Sequence, residues 1–313
     1  MTDEFKNLEM AEYGDQDINE YWTAAIRGAA RQESILELCM PTIPFPQNMG
    51  EIVNVPYEGQ LYAEEYPIKS LIQEFRSEEL DYVLNQQVLT KIGIKSVFDS
   101  AALATAPDWK LKRNLGKQYD AVARKHNSIL VTAANAVFTA NTGWHYDVET
   151  DDSLSYNDLV GAATTLHNAG HYCDPKFPYV VLVNSAEAID LAKDDDIHDA
   201  TRTNHADPKK ELIYSEEKGR LLFDLDRPYR MKIYEVDGLT AGYAAMFDPA
   251  NGAAYVQLKG FEGIRSTEEM INNSTKQIKT QSIMTFGFLD DTESPSTTGD
   301  TPGFVTIDVD TSS

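Results

Sequence analysis

Cysteine and long apolar runs are both scarce in this sequence of 313 residues. Its two cysteines, Cys39 and Cys173, cannot form a disulfide framework. One long-range bridge is conceivable, but two reduced, buried thiols are the simpler expectation. No run of eighteen apolar residues occurs, so we expect no membrane-spanning helix. The acidic N-terminus has no apolar secretory core, so a signal peptide is not indicated.

Positive charge is also in short supply. The chain has 27 basic and 50 acidic residues, which gives a formal net charge of −23. Such a surface repels nucleic-acid phosphates, so we do not expect it to bind duplex DNA directly. The charge favours solubility and suits a salty environment, where screening weakens self-repulsion. Salt adaptation is therefore a hypothesis, and it fails if the protein folds and assembles without high salt.

Sequence motifs of catalysis are missing as well. There is no GxxxxGK[ST] phosphate loop, no GxGxxG fingerprint and no GxSxG nucleophile elbow. No CxxC pair is present for zinc. Spacing alone does not bring a nucleophile, a base and an orienting acid together. The sequence therefore predicts no catalytic residue, no cofactor-binding residue and no cofactor.

Three polar groups contain residue types that can ligate a metal. In the first, His167, His171 and Cys173 have ligand-like spacing, but the helix carrying them should end at Gly170, and the helix dipole alone favours histidine there. The second group is His145 with Asp147, Glu149, Asp151 and Asp152. Its oxygen ligands could hold calcium or magnesium, but a solvated loop is the simpler interpretation. The third group, Asp194 with Asp195 and Asp196, could be a solvated loop or an ion contact, and we prefer the loop. We predict no metal site.

One long stretch, residues 105–141, organises the chain. Pro107 and Asp108 are typical of a helix start, and Asn141 to Gly143 supply the stop. About thirty helical residues make a rod of roughly 45 Å, which would span the molecule. The alternative is a long surface helix of an unrelated α/β protein. The predicted buried face consists of Leu111, Leu115, Tyr119, Val122, Ile129, Ala133 and Val137.

Residues before this helix predict an arm. Residues 1–20 suggest a flexible acidic segment, and residues 21–40 suggest a helix. A short strand at 51–56 precedes two extended limbs within 57–102, separated by a charged turn at 77–81. A two-stranded arm is only marginally stable in water, so it needs a partner surface. A neighbouring copy could supply that surface, or the arm could fold onto its own domain.

The remainder predicts an α/β section followed by strands. A helix at 154–169 begins with Ser155 as N-cap and Asp158 three residues later. A buried strand at 179–184 is followed by a helix that Ser185 would cap. Residues 143–152 suggest a polar patch, and residues 194–218 a surface loop. Predicted strands cover 220–223, 231–236, 241–247, 253–258, 275–289 and 304–309, with a hairpin turn at 248–252 and the last strand at a sheet edge.

The order of these pieces resembles the major capsid protein of tailed phages and archaeal tailed viruses, the fold of phage Hong Kong ninety-seven. EIVNVP is similar to the strand before the family's extended loop, and LTKIGIKSVFDSAAL to the loop's return into the spine helix. LSYNDLVGAATTLHNAG and FPYVVLVNSAEAIDLAK resemble the opening of the axial domain. GYAAMFDPANGAAYVQLKGFEGIR resembles the passage back to the peripheral domain. The resemblance covers most of residues 20–290. It rests on the order of the predicted elements and on the local character of these segments, not on an invariant motif.

The resemblance implies an α+β fold in five parts. Residues 1–50 would form an N-terminal arm with a short helix. Residues 51–56 and 103–150 would form the peripheral domain with the spine helix, and 57–102 the extended loop. Residues 151–258 would form the axial domain. Residues 259–313 would supply the peripheral domain's return strands and a tail.

The implied role is structural and not enzymatic. Copies would form hexamers and pentamers that close into an icosahedral virion shell around double-stranded DNA, assembled in the host cytoplasm. Separate scaffolding, portal and decoration proteins are possible partners, and the acid excess fits a haloarchaeal virus. Some members crosslink through lysine and asparagine, and Lys69 lies in the right loop, but its partners cannot be placed. The alternatives are an encapsulin-type compartment that encloses an enzyme, and a metal-dependent hydrolase using His145 and nearby acids.

Overall fold

A computed structural model describes residues 34–47, 50–58, 82–99, 108–140, 144–148, 153–172, 176–194, 196–197, 221–225, 228–272, 275–289 and 303–309. These residues form four helices: α1 (Ile35–Cys39), α2 (Asp108–Ala140), α3 (Tyr156–Asn168) and α4 (Ser185–Lys193). The strands are β1 (Thr42–Phe45), β2 (Ile52–Glu58), β3 (Tyr82–Val88), β4 (Thr90–Asp99), β5 (Trp144–Asp147), β6 (Tyr179–Val183), β7 (Leu221–Leu225), β8 (Met231–Glu235), β9 (Tyr243–Phe247), β10 (Ala253–Leu258), β11 (Arg265–Asn272), β12 (Thr275–Phe288) and β13 (Phe304–Asp308).

A five-stranded sheet is built around β12. Strand β1 pairs with β10, β10 and β11 pair with β12, and β4 also pairs with β12, in antiparallel register from Asp99 opposite Thr275 to Thr90 opposite Met284. The sequence of β12 alternates, which predicts that Ile278, Thr280, Ser282, Met284, Phe286 and Phe288 share one face. Ile278, Thr280, Ser282, Met284 and Phe286 are all buried, while the residues between them are largely half-exposed. One face of β12 therefore packs on the main core. On the other face of the sheet, Ala254 and Val256 of β10 are also buried, in a separate small cluster.

A six-stranded sheet forms a second layer, in the order β5-β13-β9-β6-β8-β7. Every residue of β6 is buried, as its continuous apolar run predicts for a strand covered on both faces. One cluster combines side chains of α3 and α4 with one face of this sheet, including Leu166, Leu191 and Val181. The other face contributes Val180 and Leu182 to the main core.

Helix α2 bridges the two sheets, as expected of the long predicted helix. Its first half carries Gln118, which hydrogen bonds to both β4 and β12. Near its end, Asn135 donates to Gly238 O at 3.0 Å, and Phe138 stacks on Tyr243 with ring centroids 5.1 Å apart. Its 33 residues correspond to a length of about 50 Å.

The buried face of α2 differs from the predicted one beyond Val122. Ile129, Ala133 and Val137 are only half-buried, and the fully packed positions lie one residue further on. The reason is that His126 and Asn127 are buried beneath α1, which the apolar pattern could not indicate. Among the described side chains of α2, the buried ones include Gln118, Tyr119, Val122, Ala123, His126, Asn127, Leu130, Val131, Ala134 and Phe138.

Several local expectations are confirmed or corrected. The capping box of Ser155 and Asp158 is present at the start of α3. The cap of α4, by contrast, is Asn184 and not Ser185: the Asn184 side chain accepts from the backbone N–H of Ala186 at 2.7 Å. Residues 144–147, expected to be a polar patch, form strand β5.

Two connections differ from the prediction because they join the sheets. Asp248 to Gly252 do form a turn, in which Ala250 N–H donates to the Asp248 carboxylate at 2.9 Å. The turn does not close a hairpin, since β9 lies in the six-stranded sheet and β10 in the five-stranded one. Strand β13 is not at an edge but lies between β5 and β9. All four residues from Phe304 to Ile307 are buried, as expected for a strand that has a neighbour on each side.

The turn at Asp248 and the approach to β13 meet backbone to backbone. Asp248 N–H donates to Gly303 O at 2.8 Å, and Leu289 N–H donates to Gly252 O at 3.1 Å. A Cβ on Gly252 would overlap the Gly303 carbonyl, so this approach requires glycine. The main core continues across the junction, with buried side chains from both sheets, including Val180, Phe247, Tyr255 and Phe286.

The architecture is α+β, as predicted. Within the residues that the structure describes, no helix is long and apolar enough to cross a bilayer.

Candidate assembly surface

The base of the predicted arm is a two-stranded antiparallel hairpin. Strands β2 and β3 pair in register from Ile52 opposite Val88 to Glu58 opposite Tyr82. The strand predicted at 51–56 thus continues through Pro56 to Glu58, and its partner is the first part of the returning limb. The second part of that limb is β4, which belongs to the five-stranded sheet. Residues 59–81, with the predicted charged turn and Lys69, lie outside the described residues.

The two faces of this hairpin base have different surroundings. Val53 and Val55 are buried against Ala254, Val256 and Leu289 of the same chain. The hairpin base therefore folds onto its own body, which was one of the two alternatives. The opposite face is open: Ile52 is 53% exposed, and Val88, directly across the ladder, is 56% exposed. Two β-branched apolar side chains thus form an uncovered pair on the arm's outer face.

Helix α1 is attached to α2 through buried polar contacts. Ser34 Oγ lies 3.1 Å from His126 Nδ1, and Ile35 N–H donates to Asn127 Oδ1 at 3.0 Å. Burial lowers the pKa of His126 to about 4, because the charged imidazolium would lose its solvation. On α1 itself, burial raises the pKa of the Cys39 thiol to about 12, so this free thiol is inert.

The histidines near the end of α3 do not form a ligand set. His167 packs its ring against Tyr172 and Tyr229, with centroid distances of 4.9 and 5.4 Å. His171 instead lies at the junction between the sheets, with Nδ1 3.6 Å from Asp248 Oδ2. Cys173 lies outside the described residues. The contacts of both histidines are therefore packing and polar contacts within the fold, and the two side chains are directed to different partners.

The acidic groups have separate positions. His145 and Asp147 belong to β5, while Glu149, Asp151 and Asp152 fall outside the described residues. Asp194 accepts a hydrogen bond from Tyr156 N–H at 2.6 Å and so caps the first turn of α3. Its other oxygen accepts from Asp196 N–H at 2.8 Å. Asp195 is also outside the described residues.

Metal-binding geometry is not found in the part of the chain that the structure describes. There, no three His, Cys, Asp or Glu side chains come together as a group that could hold an ion. Sequence reasoning missed the buried polar contacts of Gln118, His126 and Asn127. Their only sequence signal is that polar residues interrupt the apolar stripe of α2.

Comparison with solved structures identifies the fold. No protein-family model matches the sequence, and no curated protein sequence matches it. A virus-like particle from Pyrococcus furiosus is similar with a TM-score of 0.54 and 10% identity, covering 93% of this chain and 100% of the other. The capsid of Ralstonia phage GP4 has a TM-score of 0.54 at 12% identity, with 89% and 91% covered. A structure from Mycobacterium phage Bobi has a TM-score of 0.52 at 11% identity, with the same two coverages.

The similarity to these three structures is a similarity of fold over nearly the whole chain. Each match extends over about nine-tenths or more of both chains. The chain accordingly has the major capsid fold of tailed phages, the Hong Kong ninety-seven fold that the sequence resembles.

Proposed function

We propose that this chain is the self-assembling major capsid protein of a tailed virus. The observation that carries the proposal is the match to capsid structures over nearly the whole of both chains. A fold by itself does not fix a function. The proposal therefore also rests on the uncovered apolar pair, Ile52 and Val88, that the hairpin base presents.

The hairpin supplies the intersubunit contact in this proposal. An isolated two-stranded arm is marginal in water, and only one face of this one is packed on its own chain. Ile52 and Val88 on the other face would be buried by a neighbouring subunit. Of the extended loop predicted at 57–102, the part beyond the β2–β3 base would then overlap that neighbour, since β4 belongs to the chain's own five-stranded sheet.

The division into parts follows the sheets. We assign the five-stranded sheet and α2 to the peripheral domain, and the six-stranded sheet with α3 and α4 to the axial domain. Relative to the division at 151–258, this moves β10 to the peripheral domain and moves β5 and β13 to the axial one. The chain thus passes between the domains several times.

Hexamers and pentamers of the chain would close into an icosahedral shell around double-stranded DNA in the virion, after assembly in the host cytoplasm. The net charge of −23 gives a wall that does not grip its genome, so DNA can be packed and released. Scaffolding, portal and decoration proteins would be separate partners. The same charge favours a host with a salty cytoplasm, such as a haloarchaeon.

Electron microscopy and light scattering of the purified recombinant chain test the proposal. We expect closed particles or capsomers, assembled at high salt. A monomer at high concentration and high salt would overturn the shell function. Particles isolated from the natural source that contain a protein cargo instead of DNA would select an encapsulin-type compartment.

A further inference from the structure

The face of β4, β12 and β11 that points away from α2 is rich in basic residues, although the chain is strongly acidic. Its cations come from three adjacent strands: Lys91 and Lys95 on β4, Lys279 on β12 and Arg265 on β11. Glu269 on β11 is the acidic residue among them, and it pairs with Lys279. Arg265 pairs with Glu262 at 3.1 Å.

Two of these lysines lie directly opposite each other. Lys95 of β4 is the register partner of Lys279 of β12, and Lys91 lies on the same face of β4 with Gly93 between it and Lys95. Like charges directly opposite in a sheet destabilise it. Lys91 and Lys95 are exposed, and no carboxylate among the described residues forms a salt bridge with either. An arrangement that costs stability in the free chain fits an anion bound between the strands.

The lysines border an open groove of about 690 Å³. Its floor is Gly93 of β4 against Gln281 of β12, where a Cβ on Gly93 would lie 3.1 Å from the Gln281 Cβ. The missing side chain keeps the floor low between Lys91 and Lys95. On the same face of β4 as the two lysines, Val97 is 53% exposed. The site therefore offers cations and apolar surface together, which matches an acidic polypeptide that also carries apolar side chains.

We propose that this lysine groove binds carboxylates of residues 1–20 of a second copy of the chain. This segment has seven acidic residues and one lysine, interleaved with Phe5, Leu8, Met10, Tyr13 and Ile18. The acidic segment at 290–302 has no such apolar residues. Ser34 contacts α2, on the opposite face of the sheet from the groove. Residues 1–20 of the same chain would therefore have to pass around the edge of their own sheet to reach the groove. The same residues of a second copy need not do so.

Nucleic acid is the less suitable occupant. Its non-specific binding requires many phosphate contacts, whereas this groove offers only two lysines without a salt bridge among the described residues, Lys91 and Lys95. Apolar side chains of a polypeptide can also pack on Val97 beside these lysines, which a phosphate backbone cannot do. Binding to a second copy rests on the proposed function, but the chemistry of the groove can be tested without a shell.

The first experiment uses a fluorescent peptide of residues 1–20 and the unassembled full-length chain at low salt. Anisotropy should report saturable binding that weakens as salt rises. The double variant Lys91→Gln/Lys95→Gln should bind at least tenfold more weakly. The matched control Lys117→Gln/Lys125→Gln removes the same charge from the exposed face of α2 and should stay within about twofold. Equal losses in both variants, or no binding at all, would overturn the groove.

The second experiment places a photo-crosslinking residue at Gln281 of the full-length chain. Light and heavy isotope-labelled copies are mixed before assembly, and crosslinked peptides are identified by mass spectrometry. Crosslinks from one isotope form to residues 1–20 of the other support the proposal. Crosslinks only within one copy, only to another acidic segment, or only to nucleic acid overturn it. If the peptide binds but no particle forms, the shell function fails while the groove stands. If particles form but the peptide does not bind, the groove fails while the shell function stands.

Discussion

Gln118 on α2 accepts a hydrogen bond from the hydroxyl of Thr280 on β12 at 2.9 Å, and its amide donates to Ser96 on β4 at 2.6 Å. Gln118 and Thr280 are both buried. One side chain therefore joins the long helix to two strands of the five-stranded sheet. Because buried hydrogen bonds have defined partners, this contact fixes the position of the helix along the sheet.

Replacing Gln118 by Leu should lower the free energy of unfolding by about 1–3 kcal/mol, because Ser96 loses its partner and Thr280 keeps only Ser266. Chemical denaturation of the unassembled chain measures the change. The control Lys117→Leu, on the exposed face of the same helix, should change it by less than about 0.5 kcal/mol. Equal effects at the two positions would show that the polar contact contributes nothing specific.

His126 should make the fold sensitive to acid. Its pKa is lowered from 6.5 to about 4 by burial, so the folded state favours the neutral ring. The contribution of neutral His126 to the unfolding free energy is fully present above pH 6.5. It is lost as the pH falls from that value towards 4. The difference amounts to about 3 kcal/mol. Between pH 7.5 and pH 4, we expect the unfolding free energy of wild type to fall by about 3 kcal/mol more than that of His126→Gln, as measured by chemical denaturation. Parallel pH profiles would contradict this.

The cap of α4 can be tested by two neighbouring substitutions. Asn184→Ala removes the acceptor of the Ala186 and Glu187 N–H groups and should cost about 1 kcal/mol. Ser185→Ala removes only an exposed hydrogen bond to Glu235 and should cost a few tenths. Thermal and urea unfolding compare the two. A larger loss at Ser185 would restore the assignment made from sequence.

The outer face of the hairpin gives a prediction about assembly. Ile52→Lys and Val88→Lys should leave the folded chain intact but raise the concentration needed for assembly at least tenfold, since each removes apolar surface worth about 1.5–3 kcal/mol when buried. Light scattering across a concentration series measures this. Ile189→Lys on α4 is the control, because Ile189 is also about half exposed and receives the same charge. Unimpaired assembly of both hairpin variants would show that this face is not an interface.

Periodic features were predictable because they depend on neighbouring residues alone. The alternation along β12 placed Ile278 to Phe286 on the buried face, and the Ser155–Asp158 capping box follows from a four-residue pattern. The long helix was recognisable from its start and from its apolar repeat. In each case the physical cause lies within one element, so the sequence contains it.

The remaining features depend on contacts between distant segments. Asp248 to Gly252 has the composition of a hairpin turn, but whether β9 and β10 pair is decided by their other partners, β6 and β12. His126 is polar, and only Ser34, 92 residues away, shows why it is buried. The lysine groove likewise exists only once β4, β11 and β12 are side by side.

The core that continues from one sheet to the other has a consequence for heat denaturation. Phe247 of the six-stranded sheet lies with Phe286 of the five-stranded sheet, their ring centroids 6.5 Å apart, so neither layer can lose its packing alone. Calorimetry of the unassembled subunit should accordingly record one endotherm instead of two. Each layer expressed separately would lack half of its hydrophobic interior and should fail to fold.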